Sequence, residues 1–226
     1  MSKLSVSEIF FSLQGEGIYI GIPQVFVRFC GCNLRCAYCD TAAGRAEEYD
    51  PLTLAGQVRR MMKKHTARSI SLTGGEPLLQ SEKIRTFLKK GRFSPDSVYL
   101  ETNGTLSQEF IQVRDCVGIV AVDIKLPSST AEAALWPQHE RFLRACRGKK
   151  FFVKAIICLS TTLADIRTMA ELLRRYYRHT TLVLQPNHNE MGLELIQKAM
   201  RFQSVAGKYL PDVRVIAQMH KFMGVR

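Results

Sequence analysis

The strongest constraint on the fold is an alternation of short apolar segments with longer amphipathic ones. Segments 24–29, 69–72, 97–101, 117–124, 151–158, 181–185 and 213–217 are β-branched and aromatic and read as strands. Between them, 52–64, 81–90, 107–114, 131–146, 163–177 and 191–206 carry apolar residues at helical spacing, as at Leu54, Val58, Met61 and Met62. Strands apolar on both faces and separated by helices make a parallel sheet with helices packed over it. Six or seven such units are too few to close an eight-unit barrel. The expected fold class is therefore α/β, as a partial, incomplete β/α barrel with a mostly parallel sheet; a doubly wound sheet also fits. One domain over residues 1–226 is expected. Both arrangements put function at the C-terminal ends of the strands. The sharp polar motifs fall there: a cysteine loop after Phe29, then Thr73-Gly74-Gly75-Glu76, Glu101-Thr102-Asn103, Asp123-Ile124-Lys125 and Gln185-Pro186-Asn187-His188.

Composition excludes several classes. At 46% hydrophobic and 23% charged residues the chain is not a disordered one. No apolar run approaches the roughly 20 residues of a membrane helix. No secretory leader is visible, so the expected compartment is the cytoplasm. With 32 Lys and Arg against 20 Asp and Glu, the net charge of +12 favours anionic partners. The basic residues are dispersed, however, in pairs such as Lys63-Lys64, Lys89-Lys90, Lys149-Lys150 and Arg174-Arg175. They read as a solvated surface, and no nucleic-acid partner is expected.

Seven cysteines in such a chain argue against a disulfide framework. Cys116, Cys146 and Cys158 are scattered and read as ordinary core or surface thiols. The other four, Cys30, Cys32, Cys36 and Cys39, fall within ten residues. The spacing Cys32-x3-Cys36-x2-Cys39 lets three thiolates hold an iron–sulfur cubane and leaves its fourth iron open. Structural zinc is the rival; it wants four ligands, with Cys30 as the fourth. Against zinc, Cys30 continues the alternation of the strand that enters the loop. The segment Thr73-Gly74-Gly75-Glu76-Pro77 adds a glycine-rich strand end, where backbone can approach a ligand closely.

The cysteine loop together with this glycine-rich segment resembles the radical S-adenosylmethionine superfamily. A finer resemblance runs through Glu8-Ile9-Phe10-Phe11-Ser12-Leu13-Gln14-Gly15-Glu16-Gly17, Gly21-Ile22-Pro23, the stretch Phe26 to Leu34, and Cys39-Asp40-Thr41. It extends through Glu101-Thr102-Asn103-Gly104, Asp123-Ile124-Lys125-Leu126-Pro127-Ser128 and Gln218-Met219-His220-Lys221. These segments are similar to the 7-carboxy-7-deazaguanine synthase family. The resemblance implies a lyase that contracts the ring of 6-carboxy-5,6,7,8-tetrahydropterin with loss of ammonia, supplying the deazapurine precursor of queuosine or archaeosine. It also implies a 4Fe-4S cluster, S-adenosylmethionine, Mg²⁺, an external electron donor such as flavodoxin, and a homodimer. A Gly-x-Ile-x-Gly-x-x-Glu pattern common in the superfamily is absent near 151–158, so the adenine contact on that strand is unassigned.

The resemblance also implies roles. Cys32, Cys36 and Cys39 would hold the cluster. Tyr38, Asp40, Gly75, Asp123, Lys125 and Ser128 would contact the cofactor. Leu13, Gln14, Gly15, Arg28 and Thr73 would contact the substrate, and Thr41 the Mg²⁺. Arg28 suits a carboxylate because a guanidinium pairs with one bidentately. Gln14 can both donate and accept, as an aminopyrimidinone edge requires. Glu16 is open to the same edge or to a plain surface position. His188 and His220 read as structural residues. Two rivals remain: an activase that places a glycyl radical on a partner protein, and a zinc-stabilised RNA-binding protein. The three-ligand spacing predicts that Cys32→Ala, Cys36→Ala and Cys39→Ala each lose the cluster, whereas Cys30→Ala keeps it. Iron and sulfide content after anaerobic reconstitution checks this; equal loss in Cys30→Ala would favour zinc.

Overall fold

A computed structural model describes residues 3–40 and 45–225. In chain order the elements are β1 (Leu4–Leu13), β2 (Pro23–Phe29), β3 (Glu47–Tyr49), α1 (Pro51–His65), β4 (Ser69–Gly74), α2 (Ser81–Lys90), β5 (Val98–Thr102) and α3 (Ser107–Val113). There follow β6 (Ile119–Asp123), α4 (Pro127–Thr130), α5 (Trp136–Ala145), β7 (Lys150–Ile157), α6 (Leu163–Tyr177), β8 (Leu182–Pro186), α7 (Leu193–Ala206), β9 (Val213–Val215) and α8 (Met219–Met223). Among the described residues they build one nine-stranded sheet in the order β3-β1-β2-β4-β5-β6-β7-β8-β9. From β2 to β9 all neighbours are parallel; β1 runs antiparallel to both β2 and β3. The sheet is a mostly parallel, unclosed barrel wall, as the alternation implies. No helix among the described residues is long and apolar enough to cross a membrane.

Local chemistry explains the elements. Asp50 caps α1 by accepting from the Leu52 and Thr53 N–H groups, and Pro51 takes the first helical position. The basic pairs finish helices: Lys63 and Lys64 on α1, Lys89 and Lys90 on α2, Arg174 and Arg175 on α6. There they complement the negative end of the helix dipole. Side chains alternate across each strand. Leu72, Leu100, Val122, Val153 and Leu184 face the helices and form the main core. Their neighbours face inward in two layers. Tyr99, Ala121, Phe152 and Val183 make an apolar floor. One step nearer the C-terminal ends stand Thr73, Glu101, Asp123, Lys154 and Gln185. The layering puts polar chemistry above an apolar base.

Several segments depart from the sequence reading. Residues 4–13, read only as a motif, form the ten-residue strand β1, which pairs with β2 across a bulge between Val6 and Glu8. Its inner and outer faces are both largely covered, so it lacks a simple polar alternation. The helix expected over 131–146 begins only at Trp136, after the short α4. Ala131 adopts a left-handed conformation, φ +59°, and ends α4. β3 and α8 were not anticipated from sequence; each has five residues or fewer.

Helices α3 and α5 meet through Phe110 and Phe142, both fully buried with ring centroids 4.9 Å apart. Phe142→Ala should destabilise the protein by about 3–5 kcal/mol, the cost of a large buried aromatic. Urea unfolding monitored by circular dichroism checks this.

Candidate active site

The cysteine loop is an extension of the β2–β4 pairing. Beyond the last paired residues, Gly75 N–H donates to the Phe29 carbonyl (3.2 Å) and Glu76 N–H to the Gly31 carbonyl (2.8 Å). Glycine is required for this approach. A Cβ on Gly74, φ +136°, would overlap the Phe29 backbone, and one on Gly75 would overlap the Gly31 carbonyl. The loop is gripped again farther along. Asn103 Nδ2 donates to Asn33 Oδ1 (2.8 Å), Ala37 N–H donates to the Thr130 carbonyl (2.8 Å), and Lys125 Nζ donates to the Tyr38 hydroxyl (3.2 Å).

Beneath the glycine-rich strand end lies Glu76, fully buried. Its carboxylate accepts from Leu78 N–H (3.0 Å), the Thr102 hydroxyl (3.0 Å) and Asn103 N–H (2.7 Å). It thus ties the end of β4 to the end of β5. Burial pushes its pKa up to about 7 against the pull of these donors.

The strand ends and the cysteine loop enclose a cavity of about 890 Å³. Cys32, Cys36 and Cys39 line it together with Cys30, and so do Leu13, Gln14, Gly15, Arg28, Thr73, Gly75, Tyr38, Asp40, Asp123 and Lys125. Fourteen residues named from sequence thus share one cavity or its rim. Two candidates do not join them. Ser128 gives its hydroxyl to Asp165 and accepts from Thr162 N–H (2.9 Å), which docks α4 on α6, and it does not line the cavity. Thr41 lies outside the described residues.

Most charged side chains in the cavity are paired. Lys154 ion-pairs with Glu16 and lies 3.9 Å from Asp123, which pairs with Lys125 at 2.8 Å. Glu16 is therefore no surface carboxylate. Burial works against its charge, but Lys154, Gln218 and Gln185 outweigh burial and lower its pKa to about 2. Burial likewise opposes the charge on Lys125, and Asp123 together with Tyr38 and Cys36 outweighs it. Asp123 Oδ1 is buried and has no hydrogen-bond partner among the described residues. Gln14 is committed within the protein: its Nε2 donates to Gln24 (3.2 Å) and Glu101 (2.9 Å), and its Oε1 accepts from Glu16 N–H (3.0 Å). It positions Glu101, which also accepts from the Thr73 hydroxyl (3.0 Å). Arg28 lies 3.5 Å from Glu8 and 5.6 Å from the centroid of the Phe10 ring. The bulge in β1 sets Glu8 opposite Arg28 on the cavity face. Phe26 is buried and stacks on Phe10 in the cavity wall.

Sequence reasoning passed over Lys154 and the position-setting role of Gln14. A lysine inside the apolar run 151–157 was the available signal, since a buried lysine needs a partner. It also passed over α8, which packs across the site from the far end of the chain. Met219 N–H donates to the Gly15 carbonyl (2.9 Å), Gln218 to Glu16 (2.8 Å), and Lys221 pairs with Asp40 (2.8 Å).

Comparison with known proteins decides the family. Residues 26–199 match the radical SAM superfamily. The chain is 36% identical to 7-carboxy-7-deazaguanine synthase of Geobacter sulfurreducens, with 99% of both chains covered. It is 32% identical to the synthase of Methanothermobacter thermautotrophicus, covering 100% of this chain and 99% of the relative. The chain belongs to the 7-carboxy-7-deazaguanine synthase family. Its fold also matches the crystal structure of QueE from Escherichia coli, with a TM-score of 0.64 and 22% identity over 96% of this chain and 95% of that one.

As a member of this family the chain is a lyase of the radical SAM class, which implies a 4Fe-4S cluster and S-adenosylmethionine. The residues present fit both groups. The three loop thiols line one cavity, and the Cys36 thiol, pushed up by burial, feels the charges of Cys32, Cys39 and Lys125. Among the described residues no three His, Cys, Asp or Glu side chains gather round one ion-sized point. A cubane asks for a different arrangement, one thiolate on each of three irons. Asp123 Oδ1, buried on the cavity wall and without a hydrogen-bond partner among the described residues, fits a polar cofactor.

Glu76 generates a pH test. Its folded pKa, about 7, stands above the ordinary value of 4.5, so its contribution is fully present below pH 4.5 and is lost as pH rises through 7. Relative to Glu76→Gln, the wild-type protein should lose about 3 kcal/mol of stability between pH 4.5 and pH 8, at about 1.4 kcal/mol per unit. Urea unfolding of both proteins across this range checks the slope.

Proposed function

We propose that the chain converts 6-carboxy-5,6,7,8-tetrahydropterin to 7-carboxy-7-deazaguanine with release of ammonia, in the supply of deazapurine precursors. The observation that carries this reading is that one cavity is lined both by the three loop cysteines and by Arg28. A radical generated at the cysteines would then act on a substrate whose carboxylate the guanidinium receives. When bound, the cluster and S-adenosylmethionine together supply an adenosyl radical able to abstract hydrogen.

The chain's own residues would do the rest. Cys32, Cys36 and Cys39 hold the cluster. Tyr38, Asp40, Gly75, Asp123 and Lys125 hold the cofactor, with Asp123 Oδ1 available to accept from it. Glu8 takes one side of the Arg28 guanidinium and leaves its other N–H groups for the substrate carboxylate. Glu101 keeps an unused lone pair for the donor edge of the pterin, held in place by Gln14 and Thr73. Leu13 and Gly15 shape that wall. Thr41 would ligate a Mg²⁺ that also takes the substrate carboxylate. A one-electron donor such as flavodoxin would reduce the cluster, and the working unit would be a homodimer.

The test is turnover of 6-carboxytetrahydropterin by anaerobically reconstituted protein with S-adenosylmethionine and reduced flavodoxin. 7-Carboxy-7-deazaguanine, 5′-deoxyadenosine and ammonia should form together. Cofactor cleavage without deazapurine would point to another substrate. Arg28→Ala should weaken substrate binding by about 1.5–3 kcal/mol, the worth of a charge-assisted hydrogen bond. Its KM should rise about 10- to 100-fold. Thr41→Ala should keep the cluster and cofactor cleavage but lose product and its response to magnesium. A Thr41→Ala enzyme as active and as magnesium-responsive as wild type would show that the metal role is wrong.

A further inference from the structure

His139 lies outside the cavity, on α5, and is completely buried. Its two ring nitrogens bind different strand-end loops. Nε2 accepts from Lys125 N–H (3.2 Å), just beyond β6, and Nδ1 lies 3.1 Å from the Gly104 carbonyl, just beyond β5. A backbone N–H can only donate and a carbonyl can only accept. The ring is therefore the neutral tautomer with its proton on Nδ1. Burial supports this by holding its pKa down to about 4. The fit is close on the β5 side. Gly104 has φ +65°, and a Cβ there would stand 2.7 Å from Val122 and 3.4 Å from His139 Nδ1.

Both loops that His139 joins grip the cysteine loop. The β5 loop holds its first span, between Cys32 and Cys36, through Asn103 to Asn33 and through Asn33 Nδ2 to the Thr105 hydroxyl (3.0 Å). The β6 loop holds its second span, between Cys36 and Cys39, through Lys125 to Tyr38, and it presents Asp123. One imidazole behind the site thus sets the spacing of both grips. No apolar side chain could replace it without leaving a buried N–H and a buried carbonyl unpaired.

We propose that His139 is a positioning residue for the cofactor: by accepting from Lys125 N–H and donating to Gly104 O, it holds the Asp123–Lys125 segment where S-adenosylmethionine binds. This rests on the reading of Asp123 and Lys125 as cofactor contacts. His139 itself touches neither cofactor nor substrate.

The two bonds can be broken separately. The amide of a glutamine reaches about as far as Nε2 and can still accept from Lys125 N–H. The amide of an asparagine reaches about as far as Nδ1 and can still donate to Gly104. The experiment measures the dissociation constant of S-adenosylmethionine by calorimetry on anaerobically reconstituted protein of equal iron content, without substrate, for His139→Gln, His139→Asn, His139→Phe and Asp123→Asn. Thermal midpoints are recorded beside each. Positioning residues one shell out commonly change affinity by about 10- to 100-fold. His139→Asn and His139→Phe should weaken cofactor binding about tenfold or more, while His139→Gln stays within about threefold of wild type. The ranking of the thermal midpoints should not follow that of the affinities. Should His139→Phe fail to fold, the Asn and Gln variants carry the comparison alone. Equal cofactor affinity in those two, whatever their stability, would overturn the proposal. If Asp123→Asn also binds as wild type does, the reading of Asp123 as a contact falls first, and the proposal falls with it. A weakened Asp123→Asn beside an unaffected His139→Asn overturns the positioning role alone.

Discussion

The site depends on the approach of two backbones, Phe29 to Gly31 against Gly74 and Gly75. Parallel strands normally part at their C-terminal ends, where helical crossovers begin. Here β2 and β4 stay together for two further hydrogen bonds, into what would otherwise be loop. The absence of Cβ atoms on Gly74 and Gly75 makes this sterically open. As a result the first cysteine of the loop follows directly from the sheet instead of hanging from a free tether. Glu76 then anchors the same turn to β5 through Thr102 and Asn103, and Asn103 reaches back to the cysteine loop at Asn33. Among the described residues the cysteine loop has no helix or strand of its own. Its shape comes from the strand ends around it.

The charged residues above the apolar floor follow from the same geometry. Glu16, Lys154, Asp123 and Lys125 form a line of alternating sign from the β1 end to Tyr38 in the cysteine loop. Buried ion pairs seldom add stability over apolar residues of equal volume, because desolvation offsets their attraction. Four inward positions one step below, Tyr99, Ala121, Phe152 and Val183, carry apolar side chains without difficulty. The polar layer is therefore a property of the site more than of the fold. It keeps donors and acceptors fixed before any ligand arrives, which lowers the ordering cost of binding.

Much of this was legible in the sequence, for identifiable reasons. Parallel strands buried on both faces leave continuous apolar runs, so β2 and β4 to β9 could be read to within a few residues. The cysteine loop and the glycine-rich segment were legible because their spacing is short and local. Contacts made at long range were not. Glu16 gave no sign of its partner Lys154, 138 residues away, and Gln14 gave none of Glu101, 87 residues away. β1 was missed because both its faces are partly covered, which removes the two-residue period. Ser128 follows the Asp123 motif in sequence, yet the turn into α4 carries it away to Asp165. The helix over 131–146 was extended too far because Ala131 is a good helix former whose left-handed conformation is set by tertiary context.

The last wall of the cavity shows how dependent one part of the site is on another. Helix α8 has five residues, far fewer than the roughly 12–15 at which an isolated helix becomes marginally stable. It persists because of what it touches: the Gly15 carbonyl, the Glu16 carboxylate, Asp40 and, through Phe222 edge-on, the His188 ring. Gly15 is itself required, since a Cβ there would overlap the His220 side chain. Glu16 can serve as an anchor only while Lys154 keeps it charged and in place. The β1 end, Lys154 of β7 and the C-terminal helix are thus one unit, although the contact from Gln218 to Glu16 spans 202 residues. Loss of charge at Lys154 would leave Glu16 buried without its cation, and α8 would lose one of the few contacts that hold it across the cavity.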